Sequence, residues 1–221
     1  MLPGELQATV QEAEQVAGCA IEVVPDATAN EFDDLTLRVN DGVCSATIAY
    51  RGESISRCAL LHEVLHVKRY WLNAVPILRP ATRLRYGSEA QIVDDLIEHL
   101  IIIPEERRFV EAESNAHWSS VMASLAEEVN ASQRSLVLQR AMMDIAVPDL
   151  DHTRLYGRLR DENLLESSAA FIDRLRNMLN DKERALICVS REFRYEVTAF
   201  CVGRFNVRAN PKSFERSPLV Q

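Results

Sequence analysis

The sequence predicts an α+β fold, with a small, mostly antiparallel N-terminal sheet packed on a single helix and a mainly helical C-terminal half. Three observations carry this expectation. Short runs of β-forming or alternating residues fall at 21–24, 35–39 and 44–50. A stretch without glycine or proline then extends from Glu53 to Val75, enough to hold a helix of about five turns. From Ser88 to Asn180 the apolar residues recur almost throughout at helical spacing.

In chain order, Glu5 to Ala17 reads as an amphipathic helix ending near Gly18. Ile21 to Val24 is a strand closed by Pro25 and Asp26, and Leu35 to Val39 is a second. Asn40-Asp41-Gly42 has turn chemistry, and Cys44 to Tyr50 is a third strand leading into the central helix. Ser54 or Ser56 can cap that helix, and positions 55, 58/59, 61/62, 65 and 72 set one edge of it against a core. Asn73 to Gly87, with Pro76, Pro80, Arg79, Arg83 and Arg85, reads as a loop. A helix over Ser88 to Ile103 is expected to stop at Pro104. Further helices are expected at 105–113, 115–129, 132–145 and 162–179, with a break at Val147-Pro148-Asp149. Arg194 to Val207 reads as strand or as a helix continuing from Asp181, with strand preferred, and Asn210 to Gln221 as an irregular tail. The expected organisation is a metal-binding core over 1–104 and a helical extension over 105–221, packed on the core or continuous with it.

The chemistry is concentrated in His62-Glu63-Val64-Leu65-His66. Helical residues four apart stack on one face, so both imidazoles can address one metal ion. Glu63, about 100° further round, can reach a water on that ion. Two of the five histidines in the chain fall in this pentapeptide. Zn²⁺ held by two imidazoles and a third ligand keeps a position open, lowers the pKa of its water towards ~7, and leaves a glutamate to take and return the proton. This is the HExxH arrangement of zinc metallopeptidases, with His62 and His66 as ligands and Glu63 as general base.

A third ligand is required. The HExxHxxGxxH pattern would need glycine at Arg69 and histidine at Leu72, so the ligand must come from farther on. The 88–103 helix offers Glu89, Asp94, Asp95, Glu98 and His99. Glu98 sits in Leu96-Ile97-Glu98-His99-Leu100-Ile101-Ile102-Ile103, apolar in nearly every helical direction and therefore buried. A buried carboxylate costs several kcal/mol unless it is paired or bound to metal. Glu98 is accordingly the expected third ligand, with His99, Asp95, Asp94 and Glu89 also able to fill that position. Asp94 and Asp95, one turn earlier, would also suit a hydrogen bond to a ligand imidazole. His117, Tyr86, Tyr156 and His152 are the available donors for an oxyanion, and none is assigned.

These residues, and the order of sheet then motif helix, resemble the HExxH zincins of the gluzincin kind over roughly residues 20–104. Within that group the layout is similar to the ImmA/IrrE-type peptidases, which act on regulatory proteins. The resemblance implies a zinc-dependent metallopeptidase whose peptide or protein substrate is laid by strand addition along the second or third strand. The rival reading is a non-catalytic regulatory or interaction protein, its metal site degenerate or structural, with a protein partner docked on the helical half. A third reading is zinc-dependent hydrolysis of a non-peptide bond.

Composition narrows the partners. With 33 acidic against 25 basic residues the net charge is -8, which argues against nucleic acid and against an anionic membrane surface. Hydrophobic content of 47% and charged content of 26% belong to a soluble globular chain. There is no basic start and no run of about eighteen apolar residues, so a cytoplasmic location is expected. The five cysteines are scattered and lack CxxC spacing, as expected of reduced core residues. Cys58 lies one turn before His62.

Overall fold

In the computed structural model, which describes residues 4–29, 34–82, 87–127 and 131–219, helix α1 (Gly4–Ala17) leads into strands β1 (Ile21–Pro25), β2 (Asp34–Asn40) and β3 (Val43–Tyr50). The turn between β2 and β3 fixes their direction. Asp41 and Gly42 both adopt positive φ, 50° and 77°, the two-residue loop whose twist matches that of a hairpin. Asn40 therefore pairs with Val43 and Leu35 with Ile48, antiparallel. On the other side of β3, β1 runs parallel, with Ile21 beside Ala46 and Val23 beside Ile48. The sheet order is β1-β3-β2, so β1 and β2 are its edges.

The central helix α2 (Arg57–Val67) begins at Ser56, whose Oγ accepts the Ala59 N–H at 3.0 Å. Such a cap contributes about 1 kcal/mol. The helix continues as a π-helical turn over Lys68–Leu72, closed by the Asn73 N–H donating to the Lys68 carbonyl at 3.1 Å. That wider turn lets two adjacent aromatics, Tyr70 and Trp71, both enter the core. They pack with Val67 against Ala13 and Ala17 of α1, Cys44 and Ala46 of β3, Ile77, Phe205 and Val207. The small side chains facing inward from α1 and β3 make room for Trp71, which is 1% exposed.

Beyond this lie β4 (Ile77–Pro80), α3 (Gly87–Glu127), α4 (Gln133–Ala141), α5 (Thr153–Asp161), α6 (Leu164–Ser167), α7 (Ala169–Met178), α8 (Lys182–Glu192), β5 (Phe200–Asn206) and β6 (Ser213–Pro218). A second sheet has the order β4-β5-β6. Two compact units result: Met1–Ile77 with Val202–Ser217, and Leu78–Cys201 with Pro218–Gln221. The α+β class is as expected. No described helix is long and apolar enough to cross a membrane.

Several boundaries differ from the sequence expectation. The helix does not stop at Pro104 but runs through it, and breaks instead at Val110 (φ -141°, ψ 52°). An interior proline costs about 3 kcal/mol. Burial of Ile102, Ile103 and Glu106 on both sides of Pro104 offsets that. At Val110 the helix doubles back. In a straight helix, residues eight apart are separated by about 12 Å along the axis. Here Ser114 Oγ donates to Glu106 Oε1, and Arg107 Nε donates to Asn115 Oδ1 at 2.7 Å. Residues 87–109 and 111–127 are therefore two arms of a helical hairpin. The expected loop at 73–87 contains β4, and the expected irregular tail contains β6.

β6 is betrayed by no alternation in sequence, and its placement is specific. Gly203 of β5 lies under the Phe214 ring; a Cβ at 203 would sit 2.1 Å from Phe214 Cζ. Phe214 also packs on Phe205 with centroids 4.8 Å apart.

Candidate metal centre

The helical phase of α2 is decided by its apolar residues. Cys58, Leu61, Val64, Leu65 and Val67 are buried, which leaves His62 and His66 half-buried on the adjoining face. The two rings meet edge to face, centroids 4.9 Å apart and planes at 76°. One turn on, Tyr70 stacks on His66 at 5.6 Å with planes at 16°, which fixes that imidazole's orientation. Glu63 is 6% exposed, so its carboxylate is held largely out of water.

On this face His62 and His66 each offer a ring nitrogen, one turn apart. Two imidazoles are part of a donor set suited to zinc, and a third ligand must come from elsewhere in the chain.

Glu98, the expected third ligand, is completely buried, as expected, and forms an ion pair with Lys182. The Lys182 Nζ lies 2.7 Å from Glu98 Oε1 and 2.9 Å from Asp94 Oδ1. Asp94 Oδ1 also accepts the Leu78 N–H at 2.7 Å. Burial pushes the Asp94 carboxyl above its usual range, while Lys182 and the Leu78 amide pull it back. Asp94 thus serves Lys182 and the β4 backbone. The cation comes from α8, 84 positions downstream of Glu98, where no local pattern in the α3 sequence could announce it.

Three further side chains of α3 are candidates by sequence. His99 is half-buried, edge-on to Trp118 of the returning arm of α3, with centroids 5.6 Å apart at 61°. Trp118 is itself held by its Nε1 donating to Glu106 Oε1 at 3.1 Å. Glu89 accepts from Ser88 Oγ at 2.9 Å in the first turn of α3, and Asp95 is exposed on the surface.

Of the oxyanion candidates, His152 is buried with Nε2 2.7 Å from the Val147 carbonyl. Tyr156 donates to Asp144 Oδ1 at 2.5 Å, and its hydroxyl is pushed up to about 12 by burial and by Asp144. His117 lies edge-on to Trp118 at 5.1 Å. Tyr86, with Arg83 and Arg85, falls outside the described residues. All five cysteines are thiols, with Cys44 and Cys58 buried.

No family model, curated protein or solved structure matches this chain.

Proposed function

We propose that this protein is a zinc-dependent hydrolase, most closely a metallopeptidase, with His62, His66 and His99 as metal ligands and Glu63 as general base. One observation carries the reading: the two HExxH imidazoles, His62 and His66, share one face of α2 with ring centroids 4.9 Å apart, and Glu63 is buried beside them. His99, one of the expected alternatives to Glu98, is the proposed third ligand because Glu98 is ion-paired with Lys182. Bound there, zinc would supply Lewis acidity and lower the pKa of a water molecule to ~7.

The remaining work falls to the chain itself. Tyr70 keeps His66 in one orientation by stacking. Trp118 braces His99 through its edge-on contact. Glu63, buried and one residue from a ligand, accepts the proton of the attacking water and returns it to the leaving amine. The edge strands β1 and β2 support the choice of an extended peptide as substrate, since strand addition satisfies its backbone hydrogen bonds.

The test is metal content together with turnover of a quenched-fluorescence peptide library. Wild type is expected to carry one zinc and cleave. Glu63→Gln is expected to keep the zinc and lose cleavage by about 10²-fold or more. Wild type without stoichiometric zinc would overturn the metal site. A zinc-loaded wild type that cleaves no peptide, with Glu63→Gln indistinguishable from it, would overturn catalysis and leave a structural metal.

A further inference from the structure

Apart from the metal centre, the second unit contains a cavity of about 460 Å³ whose lining is chemically uneven. Four arginines, Arg174, Arg184, Arg191 and Arg194, face one carboxylate, Glu192, and between them lie Met178, Ile187 and Cys188. In a chain of net charge -8 this is a local reversal of sign.

The helical spacing explains it. Arg184, Ile187, Cys188 and Arg191 occupy positions i, i+3, i+4 and i+7 of α8 and share one face. Arg174 and Met178 are four apart on α7. The lining therefore combines apolar side chains with guanidinium groups. Glu192 engages Arg174 at 2.8 Å, which restricts that guanidinium. Burial pushes the Cys188 thiol up, so it stays neutral and behaves as part of the apolar lining.

We propose that this cavity binds a small phosphomonoester with an aromatic or apolar body, the body resting on Met178, Ile187 and Cys188 and the phosphate held by the arginines. Guanidinium forks match phosphate oxygens in pairs, and the volume falls within the range of small-molecule sites. A nucleic acid is disfavoured, because the remaining surface of the chain repels a polyanion. The inference is independent of the metal centre.

The experiment is calorimetric titration of the intact protein at fixed ionic strength with adenosine 5′-monophosphate, adenosine and ribose 5-phosphate. Saturable binding of the monophosphate is expected, with each half-ligand weaker by roughly tenfold or more. Arg184→Gln/Arg194→Gln changes two exposed side chains and should weaken the monophosphate by a further tenfold or more. Arg160→Gln, an exposed arginine outside the cavity, should leave it unchanged. Iodoacetamide labelling of Cys188, read by mass spectrometry, should slow at saturating monophosphate. Absence of saturable binding by wild type overturns the proposal. Equal weakening in Arg160→Gln overturns it as well, since binding would then reflect diffuse charge. Unchanged labelling of Cys188 at saturation overturns the placement of the body on the apolar lining.

Discussion

Replacing Lys182 with methionine tests the buried charge cluster around Glu98. Lys182 is 6% exposed, and its ammonium lies within 3 Å of two carboxylates, Asp94 at 2.9 Å and Glu98 at 2.7 Å. Methionine keeps most of the volume and suits the first turn of α8, so the change removes charge and little packing. Breaking a buried ion pair from one side costs about 3–5 kcal/mol. For a chain of this size that lowers Tm by roughly 10 °C. The pH dependence has a definite sign. Burial already holds Asp94 above its usual range and Lys182 opposes it, so without Lys182 the folded state retains protons that the unfolded chain releases. Stability of the variant then falls as pH rises through the folded-state pKa, and its deficit against wild type shrinks as pH is lowered towards ~4. Thermal melts at pH 7.5 and pH 5 read both effects, and zinc content should be unaltered in Lys182→Met and in Glu98→Gln. A Tm shift under about 2 °C with parallel pH profiles would refute the ion-pair assignment. Loss of zinc in Glu98→Gln would return that residue to the metal.

Two other outcomes are expected. His99→Ala should weaken zinc binding by roughly 10²–10³-fold, since structural zinc sites bind with 10–16 kcal/mol shared by four ligands; a competitive chelator titration unchanged from wild type would remove His99 from the site. Gly203→Ala should force the Phe214 ring off β5 and destabilise by about 1–3 kcal/mol, with Phe214→Ala relieving most of the added cost in the double variant; additive losses would show that the two positions do not compete for space.

Local rules carry much of the N-terminal third. The hairpin is legible because Asp41-Gly42 is a turn signal in its own right, and the cap is legible as one of two serines, Ser54 or Ser56, of which Ser56 is used. Phase is legible in α2 for a similar reason, since five apolar side chains leave only one face for the histidines. What cannot be read depends on distant partners. Glu98 is marked by its surroundings as a buried charge in need of compensation, yet the compensating lysine sits at the start of another helix. The proline signal at 104 is overridden by burial on both sides, a case of tertiary packing outweighing propensity. β6 carries no alternation because its burial is slight, so nothing in 213–218 marks it as strand. The arginine-lined cavity is periodic on α8, and the helical wheel of 184–191 contains its signal.

The doubling back of α3 at Val110 also bears on the order in which the molecule assembles. Its ties, Glu106 to Ser114, Arg107 to Asn115 and His99 to Trp118, span only eight to nineteen positions of chain. Short loops close cheaply and early, so contacts of this separation form ahead of strand pairings that await remote segments. The arm carrying His99 is therefore able to become rigid before the rest of the chain has settled. If His99 is the proposed third ligand, an imidazole set in place that early would meet the cation as a prepared donor, with less of the binding free energy going into ordering the chain.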